Sequence, residues 1–266
     1  MERPPWAPEE VDLNRPNPAR LYDYLLGGSH NFPVDREAAT AMLNAAPEVA
    51  DAARANRAFL ARAVRAVAEA GIDQFLDLGS GIPTAGNVHE VAHRSNPAAR
   101  VVYVDVDAVA IAHARAIVAD NERVGVVKAD LRQLDTVLAD PAAGRLLDLD
   151  RPLAVLLVSV LHFLADDDAA AVMRRLREVL PAGSHVVLSH GTSEYDPNRE
   201  SDAVAVKTVY SRTVTPVQLR TGEQVGQLLA GFELLEPGLV PVQHWRPDDA
   251  GPLKVENFIG AVGLKP

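Results

Sequence analysis

The residues best suited to chemistry form the run Phe75-Leu76-Asp77-Leu78-Gly79-Ser80-Gly81-Ile82-Pro83-Thr84. Gly79 and Gly81 permit a tight turn and let a ligand approach the backbone closely. Asp77 sits two residues before the first glycine in an otherwise apolar segment, where a carboxylate is costly unless a cation or hydrogen-bond donor meets it. Such an acid would repel a pyrophosphate, so a dinucleotide is disfavoured and a ligand with a cationic end is favoured. The alternative is a structural glycine turn in which Asp77 caps a nearby backbone N–H.

Further acids follow the next two apolar runs. Asp105, in Val104-Asp105-Val106-Asp107, lies 26 positions after Gly79, near the spacing of about 20 at which an acid accepts from ribose hydroxyls. Asp107 is well placed to cap a helix beginning near Ala108. After the third run stands Lys128-Ala129-Asp130-Leu131-Arg132, where Asp130 suits either a ligand contact or a helix cap.

These acids need elements to position them. Gln74–Leu78, Val101–Val104, Val124–Val127, Leu153–Ser159 and His185–Ser189 read as buried strands, with Phe232–Glu236 and Asn257–Gly263 as two more. Helical stretches at Asn87–Arg94, Ala108–Asp120, Leu131–Ala139 and Asp166–Leu180 alternate with them, which implies crossover connections. The expectation is an α/β fold: a doubly wound, mostly parallel seven-stranded sheet, Rossmann-like, occupying residues 71–266. Residues 1–70 form an N-terminal helical extension. It opens on a proline-rich lead-in, continues through Ala19–Leu26 and a helix for which Asp35 is a candidate cap, and ends in a longer helix stopped by Gly71. Asp35 and Arg36 are placed for a weak local ion pair.

The D-L-G-S-G run resembles the first motif of class I S-adenosylmethionine-dependent methyltransferases. The fuller string DLGSGIPTAGNVHEVAHR, with NPARLYDYLLGGSHNFPVDREAA before it and VVYVDVDAVAIAHARA after it, resembles the actinobacterial S-adenosyl methyltransferase family, first catalogued as a domain of unknown function. The likeness runs from Asn14 to Leu264. It implies a cofactor, S-adenosyl-L-methionine, whose ammonium and sulfonium suit an acid at the strand end. The resemblance lays the cofactor over Gly79, Ser80 and Gly81, with Asp77 toward its amino-acid end and Asp105 on ribose, Asp107 being the runner-up for that role. Asp130 then accepts from the adenine amino group while the Leu131 N–H donates to the ring. Ile82-Pro83-Thr84 replaces the third glycine of the general motif, and Pro83 stiffens the turn. The N-terminal string Arg20–Phe32 reads as a lid in which Tyr22 or Tyr24 stacks or hydrogen-bonds and Asn31 and the Gly27-Gly28 backbone, Gly28 above all, reach the cofactor. Its tyrosines packing the extension against the sheet is the alternative.

For the methyl acceptor, His162 at the end of the fourth strand is the first candidate base or positioning group, and His190 at the end of the fifth is second. Tyr195, in the weakly patterned stretch Thr192–Thr215, is a further catalytic candidate; Trp245 is either a wall of the site or a core plug. His89-Glu90-Val91-Ala92-His93 matches the letters of a zinc motif, yet it follows the cofactor loop directly, where zinc would compete with the nucleotide for space, so no metal is expected.

Composition sets the outer bounds. The chain of 266 residues carries a net charge of −10 and no basic run, which argues against nucleic acid as a partner. No apolar run is long enough for a membrane span, and the N-terminus lacks the features of a signal peptide, so a cytoplasmic protein is expected. Cys is 0, which excludes thiolate metal sites and a cysteine nucleophile and leaves direct displacement as the economical route. The resulting expectation is a methyltransferase acting on a small-molecule acceptor. A protein that binds the cofactor without transferring its methyl group and, further off, a nicotinamide-dependent oxidoreductase are the alternatives. Oligomeric state and acceptor are not legible.

Overall fold

The computed structural model describes residues 8–83, 86–194, 204, 208–211, 213, 215–248 and 257–266. Five parallel strands form the centre of one sheet: β1 (Gln74–Leu78), β2 (Arg100–Asp105), β3 (Val124–Lys128), β4 (Ala154–Val158) and β5 (His185–Gly191). Three shorter or antiparallel strands complete it: β6 (Glu233–Leu234), β7 (Val240–Pro241) and β8 (Phe258–Leu264). The order is β3-β2-β1-β4-β5-β8-β6, with β7 also paired to β8. The sheet therefore has eight strands, not seven. The additional one, β7, is two residues long and one of them is Pro241, so it carries no alternation for a sequence reading to detect.

Nine helices among the described residues flank the sheet: α1 (Pro18–Leu25), α2 (Pro33–Ala45), α3 (Val49–Glu69), α4 (Val88–Ser95), α5 (Ala108–Ile117), α6 (Leu134–Leu138), α7 (Pro141–Leu146), α8 (Asp166–Val179) and α9 (Gly222–Leu228). Strand alternation divides the core in two. Leu76 and Leu78, with Val155 and Leu157, meet α6 to α9 on one face. Phe75, Val101, Tyr103, Ala154 and Leu156 meet α3 and α4 on the other. Asp77 shares the second face with Phe75, so α3 is the element that looks down on it. The chain reverses direction across the sheet between β1 and β4, which opens a crevice at their carboxyl ends.

The long helix α3 buries Phe59, Leu60, Ala63, Val64 and Val67, an apolar stripe at helical spacing. Trp245 is fully buried and meets Phe59 edge-on, with ring centroids 5.6 Å apart, so it is a core plug. Asp35 lies in the first turn of α2, where its carboxylate accepts from the Phe32 and Asn17 N–H groups at 2.9 Å. Its ion-pair partner is Arg20 at 3.5 Å, whereas Arg36 donates to the Asn31 carbonyl. The expected Asp35–Arg36 pair thus gives way to a tie between two helices.

Candidate active site

A cavity of about 340 Å³ opens at the carboxyl ends of β1 to β4. Its floor is the turn after β1. Gly79 and Gly81 both adopt positive φ, +74° and +65°, which L side chains rarely adopt. A Cβ on Gly79 would stand 2.3 Å from Val160 Cγ2, so the loop after β4 dictates that glycine as much as its own backbone does. The Gly79 and Ser80 N–H groups donate to the Val104 carbonyl at 2.8 and 3.0 Å, fixing the turn against the end of β2.

Asp105 lines the cavity beside this turn. The Gly81 N–H donates to one of its oxygens at 2.7 Å and the Asp107 N–H to the other at 2.8 Å. Burial pushes its pKa up to about 6 against these backbone hydrogen bonds. Asp107 caps α5, accepting from Val109 at 2.9 Å and Ala110 at 3.0 Å. Asp77 is 5% exposed and burial pushes it up to about 7; Arg57 on α3 pulls the other way, and the Asp105 carboxylate adds to the rise. The upward shift means that its negative charge is under-compensated inside the protein. A cationic group in the cavity would correct that.

Asp130 and Leu131 line the far end of the cavity. Asp130 caps no helix. It accepts from the Arg132 N–H at 2.9 Å and from the Arg132 guanidinium, which holds its carboxyl below the usual value. It is therefore ionised and stands at the rim, with Arg132 competing for its oxygens. Tyr22 lines the roof, donating its hydroxyl to the Ala53 carbonyl at 3.0 Å.

Gly28 and Asn31 are not among the residues lining this cavity. Both are committed to Asp23, a buried carboxylate inside the N-terminal loop. Asn31 Nδ2 donates to it at 2.8 Å, and a Cβ on Gly28 would lie 2.0 Å from its Oδ1. The Gly27-Gly28 segment folds around Asp23 and does not reach toward the β1 turn. His162 is also outside the cavity lining. Its Nδ1 accepts from the Gly191 N–H at 3.2 Å, which leaves the ring proton on Nε2. Burial, with His190 and Arg220 beside it, holds the pKa well below the ordinary value. It is a buried structural histidine; the next residue, Phe163, faces the cavity instead. His190 bridges the Gly191 carbonyl at Nδ1 and the Arg220 guanidinium at Nε2, so it too is fully engaged. Tyr195 lies outside the described residues. His89 and His93 bind Tyr103 Oη and the Ala99 carbonyl, and Glu90 completes the capping box of α4.

Several lining residues stand outside the site expected from the sequence. Asn56 and Arg57 come from α3, Ser159 follows β4, and Tyr210 comes from the stretch before β6. Asn56 was detectable: it is a polar residue on the apolar stripe between Ala52–Ala53 and Phe59–Leu60. Its Oδ1 accepts from Ser189 Oγ at 2.6 Å and its Nδ2 donates to Tyr22 Oη at 3.0 Å, while Ser189 Oγ accepts from the Ser159 N–H at 3.0 Å. This chain of hydrogen bonds ties the roof to the ends of β4 and β5. Ser159 holds φ at +59°, a costly value for a residue with a side chain, which nothing in the sequence announces.

Comparison with known proteins supplies the family. A family model described as S-adenosyl methyltransferase matches residues 4–266. The crystal structure of a putative methyltransferase from Thermobifida fusca YX is 36% identical with a TM-score of 0.92, and the alignment covers 98% of this chain and 99% of that one. A DUF574 family protein from Streptomyces avermitilis MA-4680 is 39% identical with a TM-score of 0.90, covering 96% and 99%. The mitomycin 7-O-methyltransferase MmcR, at 16% identity and a TM-score of 0.52 over 78% of this chain and 54% of that one, shares the fold alone. No protein of curated function matches the sequence. Fold, length and sequence agree, and the chain belongs to the S-adenosyl methyltransferase family, enzymes whose methyl donor is S-adenosyl-L-methionine.

Proposed function

We propose that this methyltransferase acts on a small-molecule acceptor, by direct displacement, in the cavity at the ends of β1 to β4. The observation that carries the reading is the juxtaposition, in one cavity, of an under-compensated buried carboxylate, a double-glycine turn and a second carboxylate held by that turn's own N–H. Asp77 suits the ammonium of the cofactor's amino-acid end. Gly79, Ser80 and Gly81 let it approach the backbone. Asp105 keeps lone-pair capacity beyond that taken by the Gly81, Val106 and Asp107 N–H groups, and this suits a ribose hydroxyl. Asp130 and Leu131, with Val106 beside them, suit adenine, and Tyr22 closes the roof.

When bound, S-adenosyl-L-methionine would supply an electrophilic methyl group on a sulfonium, and Asp77, Gly79, Ser80, Gly81 and Asp105 are the residues that would hold it. The chain's own part is to align and to exclude water. Ser159 and Val160 fix the β4 end, while Tyr22, Asn56 and Leu60 cover it.

S-adenosylhomocysteine is expected to raise the melting temperature by ligand linkage, and NADH is not. Asp105→Ala is expected to weaken its binding about tenfold or more by calorimetry, in line with the loss of a charge-assisted contact. Unchanged affinity in that variant would move the ribose contact elsewhere.

A further inference from the structure

Resting on the cofactor assignment above, we propose that the β4 end of the cavity is the acceptor subsite and takes an uncharged, planar aromatic molecule bearing a hydroxyl group. The acids proposed to hold the cofactor end β1 and β2 or follow β3. Much of what remains of the same cavity's lining is apolar or aromatic, from Leu26, Leu60, Val160, Phe163, Leu164 and Tyr210, alongside the hydroxyls of Ser159 and Thr215. None of these side chains is charged. Arg57, which also lines the cavity, faces Asp77 and donates to Asn87 Oδ1 at 3.2 Å. A charged acceptor entering this compartment would shed water without meeting an opposite charge among these side chains.

The two rings define the shape. Phe163 and Tyr210 stand with centroids 5.5 Å apart and planes tilted by 57°. Both are only partly buried, so each leaves ring surface facing the cavity. A flat aromatic guest meets such a pair by offset or edge contact, which aliphatic guests of equal size do not gain.

Hydrogen-bond arithmetic defines the polar group. Tyr22 spends its single proton on the Ala53 carbonyl and accepts from Asn56 Nδ2. A hydroxyl oxygen has two lone pairs, so Tyr22 Oη keeps one and offers it only to a donor. Asn56 spends one Nδ2 hydrogen on Tyr22 and its Oδ1 on Ser189, which leaves a second N–H beside that lone pair. An acceptor and a donor 3.0 Å apart at the edge of an apolar compartment match a group that is itself both, and a hydroxyl is the smallest such group. Tyr22 and Asn56 are thus positioning residues.

The test is calorimetry or saturation-transfer NMR on the full chain saturated with S-adenosylhomocysteine, with 2-naphthol, its methyl ether 2-methoxynaphthalene and the cationic aliphatic agmatine as probes. The complex is expected to bind 2-naphthol best, the ether about five- to tenfold more weakly and agmatine not measurably. Phe163→Leu, which keeps an apolar filler and removes the ring, is expected to weaken 2-naphthol about fivefold and S-adenosylhomocysteine less than about twofold. Tyr22→Phe is expected to erase the preference for naphthol over its ether, a change that general loosening of the roof would not produce. Preferential binding of agmatine overturns the proposal, as does a complex that holds S-adenosylhomocysteine and none of the aromatics. If S-adenosylhomocysteine itself fails to bind, the cofactor assignment falls and takes this inference with it.

Discussion

Two buried carboxylates make stability fall as pH rises, and the proposed cofactor contact at Asp77 makes binding depend on pH in the opposite direction. Burial raises Asp77 to about 7 and Asp105 to about 6, whereas both titrate near 3.8 when unfolded. Between pH values near 4 and near 7 the unfolded chain has released these protons and the folded chain still holds them, so the folded state loses stability as pH rises through that window. Below the unfolded value there is no penalty, and above about 7 the penalty from Asp77 is complete. A cationic ligand at Asp77 requires the ionised form, so its binding expels a proton below that pH and tightens as pH rises. The thermal shift given by S-adenosylhomocysteine is therefore expected to be larger at pH 8 than at pH 6 in the native chain. In Asp77→Asn it is expected to be flat with respect to that group, and the unliganded variant to gain on the native chain as pH rises. A native shift that shrinks with pH would remove Asp77 from the ammonium. Asp77 and Asp105 were legible in the sequence because an acid ending an apolar strand is conspicuous. His162 was misleading for a related reason: strand ends mark the neighbourhood of the cavity, but the 3-10 turn at Leu161–Phe163 decides which side chain enters it, and there it is Phe163.

The turn after β1 works because two glycines meet different demands. Gly81 needs only its φ of +65°, since a Cβ added there would meet nothing within 4 Å, whereas Gly79 combines φ of +74° with Val160 Cγ2 at 2.3 Å. Gly81→Ala is expected to cost about 1 kcal/mol of stability, the left-handed penalty alone. Gly79→Ala is expected to cost about 2–4 kcal/mol, since overpacking against β4 is added to it. Adding Val160→Ala should return the overpacking share and leave the backbone share, and denaturant titration of the three variants separates the two. Equal costs at the two positions would mean that Val160 does not confine the turn. The glycines could be read from sequence, but their inequality could not, because the residue that sets it arrives after another strand, 81 positions later. The same limit applies to β7 and to the hydrogen-bond chain Ser159–Ser189–Asn56–Tyr22, both assembled from distant segments with no local periodicity. The five parallel strands, by contrast, are continuous apolar runs covered on both faces, the pattern a linear reading detects best.

Across the whole molecule, the N-terminal 70 residues play two parts that a division at Gly71 merges. The helix α3 is core: Phe59, Leu60, Val64 and Val67 cover the sheet face formed by Phe75, Val101 and Leu156. α1 and the residues flanking it are roof. Asn17, Pro18, Ala19, Tyr22 and Leu26 line the cavity, and Arg20 ties this segment to Asp35 and, at 4.0 Å, to Asp107, which lines the same cavity. The sequence pattern showed the helices but not this division, since all three carry similar small apolar residues and only packing distinguishes them. Two truncations test it. A chain beginning at Val49 retains both sheet faces covered and is expected to unfold cooperatively at a reduced melting temperature, because Leu25 and Met42 no longer cover Ala53. Its affinity for S-adenosylhomocysteine is expected to fall about tenfold or more, as the roof contacts are lost and the site opens to water. A chain beginning at Gly71 uncovers one whole face of the sheet and is expected to collapse without cooperative unfolding, measured by circular dichroism and size-exclusion chromatography. If the chain beginning at Val49 binds as tightly as the native chain, α1 is not the roof of the proposed cofactor site. If the chain beginning at Gly71 folds as well as the one beginning at Val49, α3 belongs with the extension after all.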